Sequence, residues 1–130
     1  MQTFVLTATY TTVSTSVNLT FNFECQVTDV VLNSFTSTGY SFVIGGTPTV
    51  LTAPGYVVTP PACQGLVTLG WAVASASAPI ASMTAASTAS VSTSDSSKVG
   101  TQTVSLIATI SVGSNAVLLT TSTRQADYAV

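Results

Sequence analysis

The chain has 130 residues, enough for one domain with a sizeable core, yet only 5% of them are charged, against about 25% in ordinary soluble domains. Its net charge of −2 includes just two bases, Lys98 and Arg124, too few to neutralise the phosphates of a nucleic acid. There is no histidine, which removes the commonest general base, and no apolar run approaches the eighteen or so residues of a membrane span.

The first predicted element is a hairpin. Phe4, Leu6, Ala8 and Tyr10 alternate with Val5, Thr7 and Thr9, the period of a strand with one apolar face. After a turn over 11–16, Val17, Leu19, Phe21 and Phe23 occupy one face of a return strand, with Asn18, Thr20 and Asn22 on the other. Strand candidates follow at 25–34 and 40–44, then a turn at Gly45-Gly46 and a short strand at 49–52. Pro54-Gly55 and Pro60-Pro61 mark a stretch where regular pairing should lapse. The segment 66–74 is a strong strand, with Val67, Leu69, Trp71 and Val73 on one face; Trp71 is expected to pack in the core with them. It belongs to a weakly polar stretch, 66–87, that Ser75, Ser77, Pro79 and Ser82 break up, so no membrane span is expected there. Small residues run over 76–89 into a strand at 90–93, and 94–100 is a loop in which Asp95 serves the turn and Gly100 tolerates unusual backbone angles.

A second hairpin is expected over 102–121: Val104, Leu106, Ala108 and Ile110, a turn at 113–115, then Val117 and Leu119. It repeats the first at a constant offset of 100. Gln2, Thr3, Leu6, Ala8, Thr9, Ser14, Val17, Leu19 and Thr20 recur as Gln102, Thr103, Leu106, Ala108, Thr109, Ser114, Val117, Leu119 and Thr120. This reads as an internal repeat whose period is a whole β-sandwich. Short strands with frequent turns indicate an antiparallel sandwich. The expected organisation is therefore a hairpin at 1–23, the last hairpin of an absent domain, a complete sandwich at 24–123, and a tail or connector at 124–130.

Cys25 and Cys63 are the only cysteines. Either they are two reduced core thiols or, as the Thr/Ser-rich, charge-poor surface favours, they form a disulfide in an extracellular setting. Their spacing does not make a two-cysteine redox motif, and without histidine a zinc site lacks ligands. The N-terminus shows no basic region or cleavage signal, so any secretion signal is expected to be removed or to lie outside this chain.

The stretch VSTSDSSKVGTQTVSLIAT, 91–109, resembles the closing segment of cadherin-like and immunoglobulin-like repeats in large extracellular proteins of protists and bacteria. The resemblance covers about residues 17–123. It implies an all-β, antiparallel immunoglobulin-like or cadherin-like β-sandwich, here with an extra N-terminal β-hairpin, and a cell-surface location. It also implies a cystine joining a residue just after the last strand of one repeat to one before a central strand; Cys25 and Cys63 stand at those places. Two features depart from the pattern: Trp71 follows both cysteines, and the acidic calcium motifs of true cadherins are missing. Glu24, Asp29, Asp95 and Asp127 do not converge within a short span, so neither calcium nor any other cofactor is expected.

Catalysis is not expected either. Serines are abundant, but a hydroxyl without a base is a surface group; Ser97-Lys98 reads as a solvated turn, and the carboxylates show no hydrolytic pairing. Asn18-Leu19-Thr20 is a glycosylation sequon with Asn18 on the outer face. The function expected is that of a structural protomer of an extracellular filament. It would be a head-to-tail homopolymer built by hairpin complementation through Phe4, Leu6, Tyr10, Val17, Leu19, Phe21 and Phe23, with covalent glycans as further partners. The alternative is an adhesion or glycan-binding module of a tandem-repeat surface protein.

Overall fold

The computed structural model describes residues 2–10 and 13–130, apart from the side chains of Gln2, Thr3, Phe4, Thr9 and Val13. The chain is an all-β sandwich preceded by a two-stranded ribbon. The ribbon is β1 (Gln2–Tyr10) and β2 (Val13–Phe21), antiparallel, with Leu6 opposite Val17 and Tyr10 opposite Val13. β2 starts within the segment expected as a turn, and residues 11 and 12 lie outside the described residues.

The sandwich begins with β3 (Cys25–Val27) and β4 (Asp29–Leu32), followed by β5 (Thr49–Thr52), β6 (Tyr56–Thr59) and β7 (Val67–Val73). Then come β8 (Ala81–Ala85), β9 (Thr88–Val91), β10 (Thr103–Val112), β11 (Ala116–Leu118) and β12 (Thr123–Ala129). Among the described residues, β12-β10-β7 and β5-β9-β8 form three-stranded sheets, while β4 pairs with β6 and β11 with β3. Every pairing is antiparallel except β11 with β3, which is parallel.

β10 is the spine. Its alternation follows the sequence pattern, with Val104, Leu106, Ala108 and Ile110 buried and Thr103, Thr109 and Ser111 exposed. Val104 and Leu106 pack in one apolar cluster with Leu51, Val91, Ala126 and Tyr128. Ile110 belongs to a second, with Val27, Val30, Val58, Cys63 and Val67. Trp71 is half-buried against the first cluster. Buried Ser77 ties the 74–80 turn to the start of the spine, accepting from the Ser105 N–H at 3.0 Å and donating to the Thr103 carbonyl at 3.4 Å.

Several expectations are corrected. The segment 102–121 is not a hairpin: β10 already has β7 on one edge and β12 on the other, so the chain leaving it has no free edge to return along. The Gly113 N–H bonds to the Leu66 carbonyl at 2.9 Å, and β11 pairs with β3 instead. The segment expected as a tail, 124–130, supplies most of β12, whose Ala126 and Tyr128 are core residues. The sandwich therefore runs beyond 123, and residues 1–23 cannot be equated with a hairpin found in the repeat. The expected strand at 40–44 makes no ladder, and β6 and β8 arise where none was expected.

Candidate assembly interface

Directly opposed residues of an antiparallel pair share a face. The register of β1 and β2 thus puts Leu6, Ala8, Tyr10, Val17, Leu19 and Phe21 on one side of the ribbon. Thr7, Ser14, Ser16, Asn18 and Thr20 occupy the other, with Val5 as its one large apolar residue. Phe23 lies beyond β2, its ring centroid 6.4 Å from that of Phe21. Phe4 is opposite Leu19 in register, and its side chain lies outside the described residues. Asn18 is exposed on the polar side, so a sugar there would leave the apolar face clear.

Every described side chain of the ribbon is exposed. The contrast with β10 is direct, because the two strands share one pattern. Leu6 is 65% exposed where Leu106 is 0%, and Tyr10 is 81% exposed where Ile110 is 5%. A strand whose equivalent builds the core has no core of its own. An isolated two-stranded ribbon is marginal in water, and each such side chain gains about 1.5–3 kcal/mol on leaving it.

The ribbon joins the sandwich through residues 22–24, and the junction is firmly held. Cys25 and Cys63 form a disulfide with a Cα–Cα distance of 5.7 Å across a sequence separation of 38. The Cys25 N–H also donates to the Asn115 carbonyl at 2.8 Å, and β3 continues into the parallel ladder with β11. All these partners lie near the C-terminal end of β10.

At the other end of β10 a groove of about 590 Å³ opens between 40–44 and 98–101, with Val130 also lining it. Tyr40, Phe42 and Ile44 are half-buried, and the first two pack on the sandwich core. Val43 and Val99 are 75% and 76% exposed. Among the described residues, the N–H groups of Ser41, Phe42, Val43 and Ile44 make no hydrogen bond to another segment. The 40–44 stretch is set in place from its flanks: Thr49 Oγ1 donates to the Ser41 carbonyl at 2.6 Å, and the Gly45 N–H to the Thr93 carbonyl at 3.0 Å. Gly45 needs its glycine for φ 72°, as Gly100 does for φ 112°. Opposite, the Asp95 carboxylate caps a short 3-10 turn, Ser96–Lys98, by accepting from the Ser97 N–H at 2.9 Å. Hydrogen bonds from Ser97, the hydroxyl before the backbone N–H, hold the Asp95 carboxyl below the usual aspartate range.

The sequence reading missed this groove. Its signal was present in Tyr40, Phe42 and Ile44, a strand pattern for which no partner strand could be named. Among the described residues no three His, Cys, Asp or Glu side chains are grouped to hold a metal, and no helix is long and apolar enough to cross a membrane. Comparison with protein-family models, with curated proteins and with solved structures gives no significant match.

Proposed function

We propose that the chain is a structural protomer of an extracellular filament, assembled head-to-tail by complementation between the N-terminal ribbon of one copy and the sandwich of another. The observation that carries this reading is the contrast between Leu6 and Leu106: one repeated strand pattern, exposed in β1 and enclosed in β10. Burying the apolar side of the ribbon on a neighbour supplies the driving force, and two different surfaces joined in this way do not close, so they make fibres. With only six charged residues in the chain, electrostatic repulsion between copies is weak. The disulfide supports a location where cystines persist, and Asn18 offers a place for a glycan on the polar side of the ribbon.

Electron microscopy of the native material at high and low concentration tests the proposal. Regular fibres with an axial repeat of about one domain are expected, and dispersed particles at every concentration refute it. A second reading, an adhesion or glycan-binding module of a tandem-repeat surface protein, draws on the 100-residue offset of the ribbon pattern; it requires the isolated chain to stay monomeric.

A further inference from the structure

The groove and the ribbon root lie at opposite poles of the sandwich. Cys25 is bonded beside Asn115, just past the C-terminal end of β10, whereas the groove is bounded by 98–101, just before the N-terminal end of that strand. Val130 is bonded to Gln102 through both backbone N–H groups, at 2.8 and 2.9 Å, which fixes it at the groove pole. The ten residues of β10 separate the poles by about 30 Å.

We infer that this groove is the acceptor for the ribbon of a second copy of the chain, and that a ribbon strand adds there along residues 40–44. The inference rests on the filament reading above and identifies the receiving half of its contact. The backbone of 40–44 presents N–H groups without partners beside apolar side chains, the arrangement that an added strand satisfies, with ladder bonds for affinity and alternate side chains for register. Tyr40, Phe42 and Ile44 already face inward, so the incoming apolar side meets an apolar floor. Val43 and Val99 are left on the rims, where the ribbon covers them.

Size and charge agree with this occupant. Burying Leu6, Tyr10, Val17, Leu19 and Phe23 removes on the order of 600 Å² from water, at ~150–250 Å² for each aromatic side chain. A ladder along 40–44 extends the patch towards the roughly 800 Å² per partner of stable interfaces. Residues 2–23 carry no charged side chain, and Lys98 is the one charged side chain lining the groove. Docking therefore buries no opposed like charges and leaves the ammonium to reach water past the rim. Because donor and acceptor sit at opposite poles, each added copy presents a fresh groove or a fresh ribbon, and growth is linear.

The test uses two full-length variants. Val43→Asp blocks the groove at an exposed rim position, and Leu6→Asp blocks the ribbon at an exposed face position, so both sandwiches keep their fold, as thermal melts will check. Each variant alone should stay monomeric in sedimentation velocity, or need at least about ten times the wild-type concentration to assemble. An equimolar mixture should give heterodimers that grow no further, because one intact ribbon meets one intact groove. If Val43→Asp and a second rim variant, Val99→Asp, polymerise like wild type while Leu6→Asp does not, the groove is the wrong acceptor and the filament reading stands. If the wild type itself never assembles, both fall.

Discussion

Leu6 and Leu106 occupy the same place in the repeated strand, so truncating each to alanine compares one side chain in two environments. Leu106 is fully buried in the larger cluster, with Val104, Leu51, Val91 and Tyr128. Its loss should cost about 3 kcal/mol, from the transfer of the removed atoms and from the cavity they leave. For a domain of this size that lowers the melting temperature by roughly 10 °C. Leu6 is 65% exposed, and its truncation should change the stability of the dilute monomer by no more than ~0.5 kcal/mol. Urea unfolding followed by Trp71 fluorescence suits the comparison, since the single tryptophan sits opposite Ala108 on the neighbouring strand. The slope of the transition should stay constant, so that midpoints report stability alone. Equal losses in the dilute monomer would show that the ribbon packs on its own sandwich, and a Leu106→Ala cost below ~1 kcal/mol would show that β10 is not the spine described above. Under assembling conditions the ranking should change in one respect only: Leu6→Ala should then weaken association.

Further outcomes follow from the junction, the loops and the edges. Reducing the Cys25–Cys63 bond should remove about 4 kcal/mol by the loop-closure estimate for a separation of 38, read as a lower urea midpoint in reductant; an unchanged midpoint would discard that estimate. Arg124 donates to the carbonyls of Val30, Thr121 and Thr123 and pairs with Asp29 at 3.0 Å. Arg124→Met should therefore cost ~1.5–3 kcal/mol, but Asp29→Asn, at a half-exposed partner, no more than ~1 kcal/mol; a larger loss for Asp29→Asn would reverse this ranking. Asp95 has a depressed folded-state pKa, so its contribution is complete above the unfolded-state value and fades as pH falls through the folded one. Its carboxyl carbon should titrate by NMR below the usual aspartate range, and a normal midpoint would remove the Ser97 cap from the account.

Much of the sandwich was legible because its strands alternate strongly. Val67–Val73 forms where Val67, Leu69 and Trp71 set a period of two, and Thr49–Thr52 forms over adjacent Val50 and Leu51, of which only Leu51 turns into the core. β6 was hidden by the prolines on either side of Tyr56–Thr59, which end the strand without preventing it. β8 was hidden because Ala81, Ser82, Met83, Thr84 and Ala85 carry little apolar bulk; it stands on pairing with β9. β12 contains Arg124, Gln125 and Asp127, which masked the inward positions of Ala126 and Tyr128. The repeat itself misled for a different reason. Sequence identity between 13–21 and 113–121 carries intrinsic strand tendency, but pairing depends on which edges are free, and β10 has none to offer β11. The apolar side of the ribbon was readable from alternation alone, whereas the groove depends on 40–44 lacking a neighbour, a property of the assembled sheets.

The cystine at the ribbon root sets the path of tension through the molecule. A pull on residues 22–24 reaches Cys25 first, and the sulfur bridge passes it covalently to the 3-10 turn, Pro61–Leu66, and so to the start of β7. The load that remains runs along β3 against a parallel neighbour, where the ladder bonds to β11 are sheared together rather than peeled one at a time. A ribbon tugged from outside thus loads the sandwich at two places together, β3 and the turn that leads into β7.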